Sequence, residues 1–153
     1  MIGLYRPNVG ICLINKFGKV FVAERPEFPN SWQMPQGGID EGEDIKTAAL
    51  RELAEETGIH NVEILEIMKK SIRYDLPEST QKRLWGGKYK GQEQFWVCMK
   101  FLGHDDEINL TANDHVEFIR WRWTDIETLP DFIVPFKREV YEIIVSAFKK
   151  FTD

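Results

Sequence analysis

The chain has 153 residues and a mass of 17.9 kDa, the size of one ordinary globular domain. With 42% hydrophobic and 29% charged residues, the composition excludes a disordered chain, and no apolar run reaches the roughly 18 residues of a membrane span. The net charge of −5 argues against a protein that coats long stretches of nucleic acid. We therefore expect a single domain over residues 1–153 that does not associate with membranes.

The two cysteines predict no metal site and no disulfide framework. Cys12 and Cys98 each lie inside an apolar run, and the chain has no CxxC pair. We expect both to be buried, reduced thiols. Residues 1–10 lack the basic and then apolar pattern of a secretory signal, so a cytoplasmic location is the default expectation.

The first sixty residues predict a β-hairpin followed by a helix, because apolar runs of strand length precede a segment with helical capping signals. The first two predicted strands are residues 9–14 and 20–23, joined by a turn at 15–18. A Pro- and Gly-rich stretch at 26–42 follows, with short extended pieces around Trp32 and Ile39. A helix is predicted at 44–57, followed by Gly58. This order favours a sheet packed against helices.

The rest of the chain predicts three extended segments and a final helix. The extended segments are residues 62–74, 94–102 and 118–123, and a basic, Gly-bearing loop at 77–91 separates the first two. The final helix is indicated by apolar residues at helical spacing, namely Phe136, Val140, Ile143, Ile144, Ala147, Phe148 and Phe151. Together the elements predict an α/β fold with a mixed sheet.

The predicted helix at 44–57 carries an unusual acidic face. At 100° per residue, Glu52, Glu55 and Glu56 share an arc of roughly 100°. Like charges at this spacing cost a few tenths of a kcal/mol per pair, and Arg51 is the one base placed to relieve them. A solvated acidic face is the ordinary interpretation. The alternative is a site for Mg²⁺ or Mn²⁺, whose preferred oxygen ligands these are and which commonly bring phosphate substrates.

The spacing around this helix matches the signature of a known family. The pattern is Gly37, five residues, Glu43, seven residues, Arg51-Glu52-Leu53, one residue, Glu55-Glu56, one residue and Gly58-Ile59. In this segment, residues 37–59, the chain resembles the Nudix hydrolases, which hydrolyse a nucleoside diphosphate linked to another group. The resemblance implies an α/β/α sandwich with a mixed β-sheet and a catalytic loop–helix–loop.

Two groups within that family compete as the nearer resemblance. Residues 5–10, 32–39 and 136–138 resemble bacterial RNA pyrophosphohydrolases, which convert 5′-triphosphate RNA ends to monophosphates. Met34 and residues 40–44 and 83–87 resemble asymmetric hydrolases that cleave diadenosine tetraphosphate to ATP and AMP. We expect either an RNA 5′ end or a dinucleoside polyphosphate as substrate. A non-catalytic nucleotide sensor is the alternative of another class, but a pure binder has no need of so repulsive a trio of glutamates.

The resemblance also assigns roles to individual residues. Two or more Mg²⁺ ions, or Mn²⁺, are implied, with Glu52, Glu55, Glu56, Glu117 and the Gly37 carbonyl as ligands. The four glutamates form the catalytic set together with Arg51, which orients a glutamate, and either Glu56 or Glu117 is the general base. The implied substrate-binding residues, with Phe136 and Arg25 enclosing a base, are Arg6, Arg25, Ser31, Tyr74, Gln94, Phe136 and Lys137. No stable protein partner is predicted, and the oligomeric state stays open.

The net charge is concentrated in one segment. Residues 40–56 contain seven acids and two bases, so they account for the whole excess of −5. Residues 69–90 contain seven bases and two acids. The first segment is consistent with a metal site, and the second suits a polyphosphate or RNA end, with an ordinary solvated loop as the alternative.

Overall fold

The computed structural model describes residues 4–153 and contains one mixed sheet flanked by helices. The first three residues of the N-terminal stretch considered above lie outside the described part. The strands are β1 (Tyr5–Ile14), β2 (Val20–Glu24), β3 (Trp32–Gln33), β4 (Gln36–Gly38), β5 (Val62–Ile67), β6 (Ile72–Asp75), β7 (Gly91–Phe101) and β8 (Arg120–Thr124). The α-helices of the described residues are α1 (Ile45–Thr57), α2 (Glu78–Arg83), α3 (Leu129–Phe132) and α4 (Arg138–Phe148).

The centre of the sheet is the parallel pair β1 and β7, which runs in register from Tyr5 opposite Gly91 to Ile14 opposite Lys100. All other pairings are antiparallel: β2 and β4 pair with β1, β3 and β8 pair with β2, and β5 and β6 pair with β7. The later parts of both central strands, residues 9–14 and 95–99, are almost entirely buried, which explains their apolar sequence. The predicted α/β fold with a mixed sheet is confirmed.

Two apolar clusters cover the two faces of the sheet. On one face, α4 contributes Tyr141 and Phe148 to a cluster around Trp96. On the other, α1 packs Leu53 against Phe21 and neighbouring strand residues. Cys12 and Cys98 are buried free thiols facing each other across the central pair, as expected. Among the described residues, no helix combines the length and apolarity that crossing a membrane requires.

Helix α1 follows its local sequence signals. The Asp44 side chain accepts a hydrogen bond from the Thr47 backbone N–H at 2.7 Å, and Gly58 ends the helix in the left-handed conformation, at φ 73°. Ala48 and Ala49 lie fully buried in the core beneath the acidic face. The small side chains thus let the helix approach the sheet closely, with Glu52 beside β4.

Several predicted elements differ from the structure. β1 begins at Tyr5 and β7 at Gly91, ahead of the predicted residues 9 and 94, because their parallel pairing continues through polar residues, and β4 ends one residue before Ile39. The segment 62–74 divides into β5 and β6, which pair with different halves of β7. The loop 77–91 contains α2, whose Glu78 in the first turn and Lys82 and Arg83 in the last complement the helix dipole. The strand predicted at 118–123 is β8, which begins at Arg120. The final helix begins at Arg138, after a 3₁₀ turn over Pro135–Lys137. Pro135 favours that tighter turn, and Ile143 of the predicted apolar face is 47% exposed.

Candidate active site

A cavity of about 390 Å³ lies over the N-terminal halves of the central strands β1 and β7, where α1, β4 and the segment before α4 also contribute residues. We call it the central pocket. Eight of the thirteen predicted site residues line it: Arg6, Arg25, Gly37, Glu52, Tyr74, Glu117, Phe136 and Lys137. The other five, Ser31, Arg51, Glu55, Glu56 and Gln94, do not. The tertiary structure therefore gathers most of the predicted residues, from positions 6 to 137, around one opening.

Glu56 is the buried member of the acidic face. The residue is 5% exposed, and neither oxygen of its carboxylate has a hydrogen-bond partner. Burial raises the pKa of this carboxyl well above its usual value, and the neighbouring Glu117 and Glu52 raise it further. A buried carboxylate without a partner is costly in isolation, so this position calls for a cation or a proton.

Arg51 holds the adjoining carboxylates in a network. Its guanidinium donates two hydrogen bonds to Glu43, both at 2.8 Å, and one to Glu52 at 2.8 Å. It also donates to the Gly38 carbonyl at 2.8 Å and contacts the half-exposed Glu55 at 3.3 Å. The paired hydrogen bonds hold the pKa of Glu43 down, at about 2. Arg51 therefore joins α1 to the loop that precedes it, in a fork geometry that Lys cannot reproduce.

Gly37 allows Glu52 to lie directly against β4. A Cβ atom built at position 37 would lie 2.0 Å from the Glu52 Cδ and 2.1 Å from its Oε2. The backbone of Gly37 and the carboxylate of Glu52 are therefore immediate neighbours, with Arg51 on the other side of that carboxylate. No larger residue fits here without moving one of them.

Glu117 is half-buried and lies in the segment before β8, three residues ahead of its first residue. Glu24 holds this segment and the loop after β2 together. Its carbonyl accepts from Ile119 N at 2.9 Å. Its carboxylate accepts three hydrogen bonds, from Arg120 Nε at 2.7 Å, Arg120 Nη2 at 3.0 Å and Asn30 N at 2.5 Å. The hydrogen bonds to the carboxylate, those from Arg120 most strongly, lower the pKa of Glu24. One buried carboxylate thus fixes two loops at the pocket edge.

We expect Glu24→Ala to lower the melting temperature by about 5 °C, because three charge-assisted hydrogen bonds to the buried carboxylate are lost. The KM of any substrate held by the 25–31 loop should rise as well. The measurement is thermal unfolding with steady-state kinetics. Asp125→Asn, which breaks an exposed ion pair with Lys19, is the control and should change neither. An unchanged melting temperature for Glu24→Ala would contradict this role.

Lys137 is a buried cation in the lining of the same pocket. Its side chain is 8% exposed, and burial, with the nearby Arg25 charge, lowers its pKa to about 8. Its ammonium lies 6.0 Å from the centre of the Tyr74 ring, and that ring lies 6.3 Å from the ring of Phe136. A buried cation beside two aromatic rings is suited to a phosphorylated ligand with a planar base.

Two predicted substrate contacts lie outside the pocket lining. Gln94 is 1% exposed and lies below the pocket floor, hydrogen-bonded to Asn8 and Gln36. Ser31 lies in the adjacent loop, where its backbone N–H donates to the Phe28 carbonyl at 3.1 Å.

The pocket also has lining residues that the sequence analysis missed: Asn8, Phe28, Gln36, Gly38, Leu76, Thr80, Leu84 and Gln92. A signal for some of them is present in the sequence. Arg6 and Asn8 on β1, and Gln92 and Gln94 on β7, are polar residues two apart in the N-terminal halves of the two strands, ahead of their apolar runs. This spacing places each pair on one face of its strand.

Comparison with known proteins decides the family. The NUDIX domain family matches residues 4–143, which is most of the chain. The chain belongs to the NUDIX domain family. A curated relative from Rhodospirillum rubrum named RNA pyrophosphohydrolase is 54% identical over 142 residues, covering 93% of this chain and 86% of the relative. One of the same name from Novosphingobium aromaticivorans is 50% identical over 149 residues, covering 95% and 92%.

Solved structures confirm the Nudix fold. The Escherichia coli dihydroneopterin triphosphate pyrophosphohydrolase superposes with a TM-score of 0.72 at 20% identity, covering 94% of this chain and 99% of that one. A Caenorhabditis elegans Ap4A hydrolase superposes with a TM-score of 0.63 at 21% identity, covering 92% and 96%. At these identities the likeness concerns the fold alone.

Nudix hydrolases generally need divalent metal ions, and the residues of this chain fit such an ion. The two oxygens of Glu56 have no partner, and Glu52 and Glu117 are close enough to raise its pKa. In residues 4–153, no three acidic, His or Cys side chains converge on one point in this arrangement. Arg51 holds Glu52, and Glu55 is turned partly to solvent. Carboxylate oxygens are nevertheless the main ligand type here, which suits a hard divalent cation.

Proposed function

We propose that this Nudix hydrolase cleaves the phosphoanhydride bonds of 5′-triphosphate RNA ends and leaves a 5′-monophosphate. The observation that carries the proposal is that one pocket is lined both by Glu52 and Glu117, the neighbours of the unpartnered Glu56, and by the buried cation Lys137. Such a pocket has acidic side chains that can bind cations and a basic side chain that can bind phosphate. The relatives that are about half identical over more than 90% of the chain carry the name RNA pyrophosphohydrolase.

The acidic side of the pocket would hold the metal. We assign Glu52, Glu55, Glu56, Glu117 and the Gly37 carbonyl as its ligands, and two or more Mg²⁺ ions, or Mn²⁺, as its occupants. When bound, such ions lower the pKa of water and neutralise charge on phosphate oxygens. The Glu56 oxygens are sealed from solvent, whereas Glu117 lines the pocket. Of the two candidate general bases, we therefore propose Glu117, whose position in the pocket lining supports proton transfer from water there.

The remaining residues bind and orient the substrate. Lys137 supplies a positive charge for phosphate oxygens, and Arg51 keeps Glu52 in place through its hydrogen bonds to Glu43 and the Gly38 carbonyl. Arg25 and Phe136 line the same pocket and would enclose the base between a guanidinium plane and a ring. Catalysis of this kind consists mainly of positioning and of charge stabilisation.

The test is a comparison of kcat/KM for a 5′-triphosphorylated RNA dinucleotide and for diadenosine tetraphosphate, with Mg²⁺ present. We expect the RNA substrate to be preferred by at least about tenfold. A reversed preference would replace this proposal with the dinucleoside polyphosphate hydrolase that Met34 and residues 40–44 suggest. Absence of turnover on both would favour the nucleotide sensor. A cytoplasmic location and the lack of a stable protein partner stay predictions.

Lys137 should give the reaction a pH limit. Because its pKa is about 8, the free enzyme loses the positive charge above that pH, and kcat/KM should fall about tenfold per pH unit. Lys137→Arg, which stays protonated, should keep its kcat/KM between pH 8 and 9.5. Lys137→Met should have a kcat/KM about a hundredfold lower than the wild type and should lack the decrease above pH 8. Lys90→Arg, on the protein surface, is the control. A wild-type profile that stays flat to pH 10 would refute the assignment.

A further inference from the structure

Below the floor of the central pocket lies a chain of hydrogen-bonded amides. Gln94 of β7 is 1% exposed, and its Nε2 donates to Asn8 Oδ1 at 2.9 Å and to Gln36 Oε1 at 2.7 Å. Its Oε1 accepts from the indole Nε1 of Trp96 at 3.1 Å. Gln94 itself does not line the pocket, but Asn8 and Gln36 both do. The buried amide therefore connects the core to two pocket-wall side chains.

The indole of Trp96 determines the direction of this chain. An indole N–H can only donate, whereas a side-chain amide can face either way. Trp96 therefore requires an oxygen from Gln94, so that the nitrogen of Gln94 must face Asn8 and Gln36. These two side chains must in turn direct their oxygens down towards Gln94. Their –NH₂ groups are the ends that remain for the pocket.

Packing prevents Trp96 from releasing this constraint. The ring is fully buried and meets Tyr141 edge-on, with centroids 6.1 Å apart. The Tyr141 hydroxyl is fixed by the Met34 backbone N–H at 2.9 Å. On the other side, a Cβ at Gly10 would lie 2.6 Å from the indole, so β1 lies directly against the ring. In a core this dense the indole has one orientation.

We propose that Trp96 and Gln94 orient the side-chain amides of Asn8 and Gln36 so that both offer N–H donors to the phosphoryl oxygens of the substrate. This subsite rests on the proposed function, since it needs a polyphosphate in the pocket. Asn8 pairs with Gly38 and Gln36 precedes Gly37, so both donors lie beside the acidic group. Neutral donors bind phosphate oxygens there without placing a positive charge beside a metal site.

The direction of the amide chain can be tested at Gln36, which is only half-buried. Gln36→Met removes the donor, and we expect KM for the triphosphorylated RNA dinucleotide to rise about tenfold with kcat within about twofold. Gln36→Glu replaces the donor with a charged acceptor, and KM should rise about a hundredfold. If Gln36 instead presents its carbonyl to a ligand donor, Gln36→Glu will bind better than Gln36→Met, and the proposal is overturned.

The positioning role of Gln94 is tested by a double-mutant cycle. Gln94→Met alone should raise KM about tenfold, and combining it with Gln36→Met should raise KM by clearly less than the product of the two effects. Multiplicative effects would show that Gln94 does not act through Gln36. Gln33→Met, which removes another buried amide outside the pocket lining, is the matched control and should leave KM unchanged.

Two further measurements keep the outcomes separate. Binding of a non-hydrolysable 5′-imidotriphosphate dinucleotide should weaken in parallel with KM, and thermal unfolding should show that each variant is folded. If Gln94→Met does not fold, the comparison of Gln36→Met with Gln36→Glu still determines which way the Gln36 amide faces. Failure of the proposed function appears in the wild type, as a preference for diadenosine tetraphosphate. Failure of the amide subsite appears as an unchanged KM in the Gln36 variants, on whichever phosphoanhydride the wild type cleaves.

Discussion

Glu56→Gln is expected to lower kcat by about a thousandfold while leaving the protein folded. The change keeps the shape of the side chain but removes the charge of the acidic group's most buried member. A loss of this size corresponds to the several kcal/mol of charge stabilisation that a correctly held metal supplies. The measurement is single-turnover cleavage at saturating Mg²⁺. Retention of wild-type turnover would contradict the assignment and favour the nucleotide sensor.

The same variant should be more stable than the wild type when no metal is added. The raised pKa of Glu56 means that the folded state favours the protonated form. Its stabilising contribution is therefore complete below the unfolded pKa of about 4.5, and it is lost as the pH rises through the higher folded value. Gln cannot ionise, so Glu56→Gln should gain about 2 kcal/mol over the wild type at neutral pH.

Denaturant unfolding in a chelating buffer from pH 5 to 8 measures this difference. The wild type should lose stability relative to Glu56→Gln as the pH rises, and Mg²⁺ should restore it only in the wild type. Glu41→Gln, which changes an exposed acid in the preceding loop, should follow the wild-type curve. If the free energy of unfolding changed with pH in the same way for the wild type and Glu56→Gln, the burial of an ionised Glu56 would carry no energetic cost.

Gly37→Ala is expected to reduce kcat about a hundredfold. The added methyl would overlap the Glu52 carboxylate, which Arg51 holds from the other side at 2.8 Å. Either β4 or Glu52 must move, and a displacement of about 1 Å at a catalytic group costs roughly this factor. The overpacking should also cost about 1–3 kcal/mol of folding free energy. Steady-state kinetics and denaturant unfolding measure the two effects.

Gly42→Ala, in the loop that follows β4, provides the matched control. Gly42 has φ 78°, and a Cβ there would meet nothing within 4 Å. Alanine at this position should cost about 1 kcal/mol because of the left-handed backbone, with kcat within about twofold of the wild type. If the two alanine variants lose activity equally, general destabilisation and not the Glu52 contact is responsible.

Local signals predicted helix α1 and its acidic face well. Asp44 and Gly58 lie directly next to the two ends of the helix that they cap, so their effect depends on short-range hydrogen bonds alone. The start of α4 was predicted too early, because the apolar period continues through Phe136 although Pro135 favours a 3₁₀ turn. Helix α2 was missed because its six residues, none of them buried, carry no apolar period and its signal is the placement of charges.

The amide chain beneath the pocket could not be predicted. Gln94 bonds to Asn8 and Gln36, which are 86 and 58 residues away, and no spacing rule connects them. Its predicted role as a substrate contact rested on resemblance, whereas the structure shows a buried amide with its donors and acceptor engaged. Which way each amide faces depends on Trp96, and therefore on the register of β1 against β7.

By itself, the sequence determined the family, the class of fold and the residues of the acidic face. These depend on residue type and spacing within one helix and its flanking loop, where local geometry follows from the chain order. Only the tertiary structure decided that Glu56 is the buried glutamate of the acidic face, that Lys137 lines the same pocket as Glu52 and Glu117, and that Gln94 is buried behind the pocket lining. Burial and the direction of hydrogen bonds depend on contacts between distant segments, which only the packed sheet brings together.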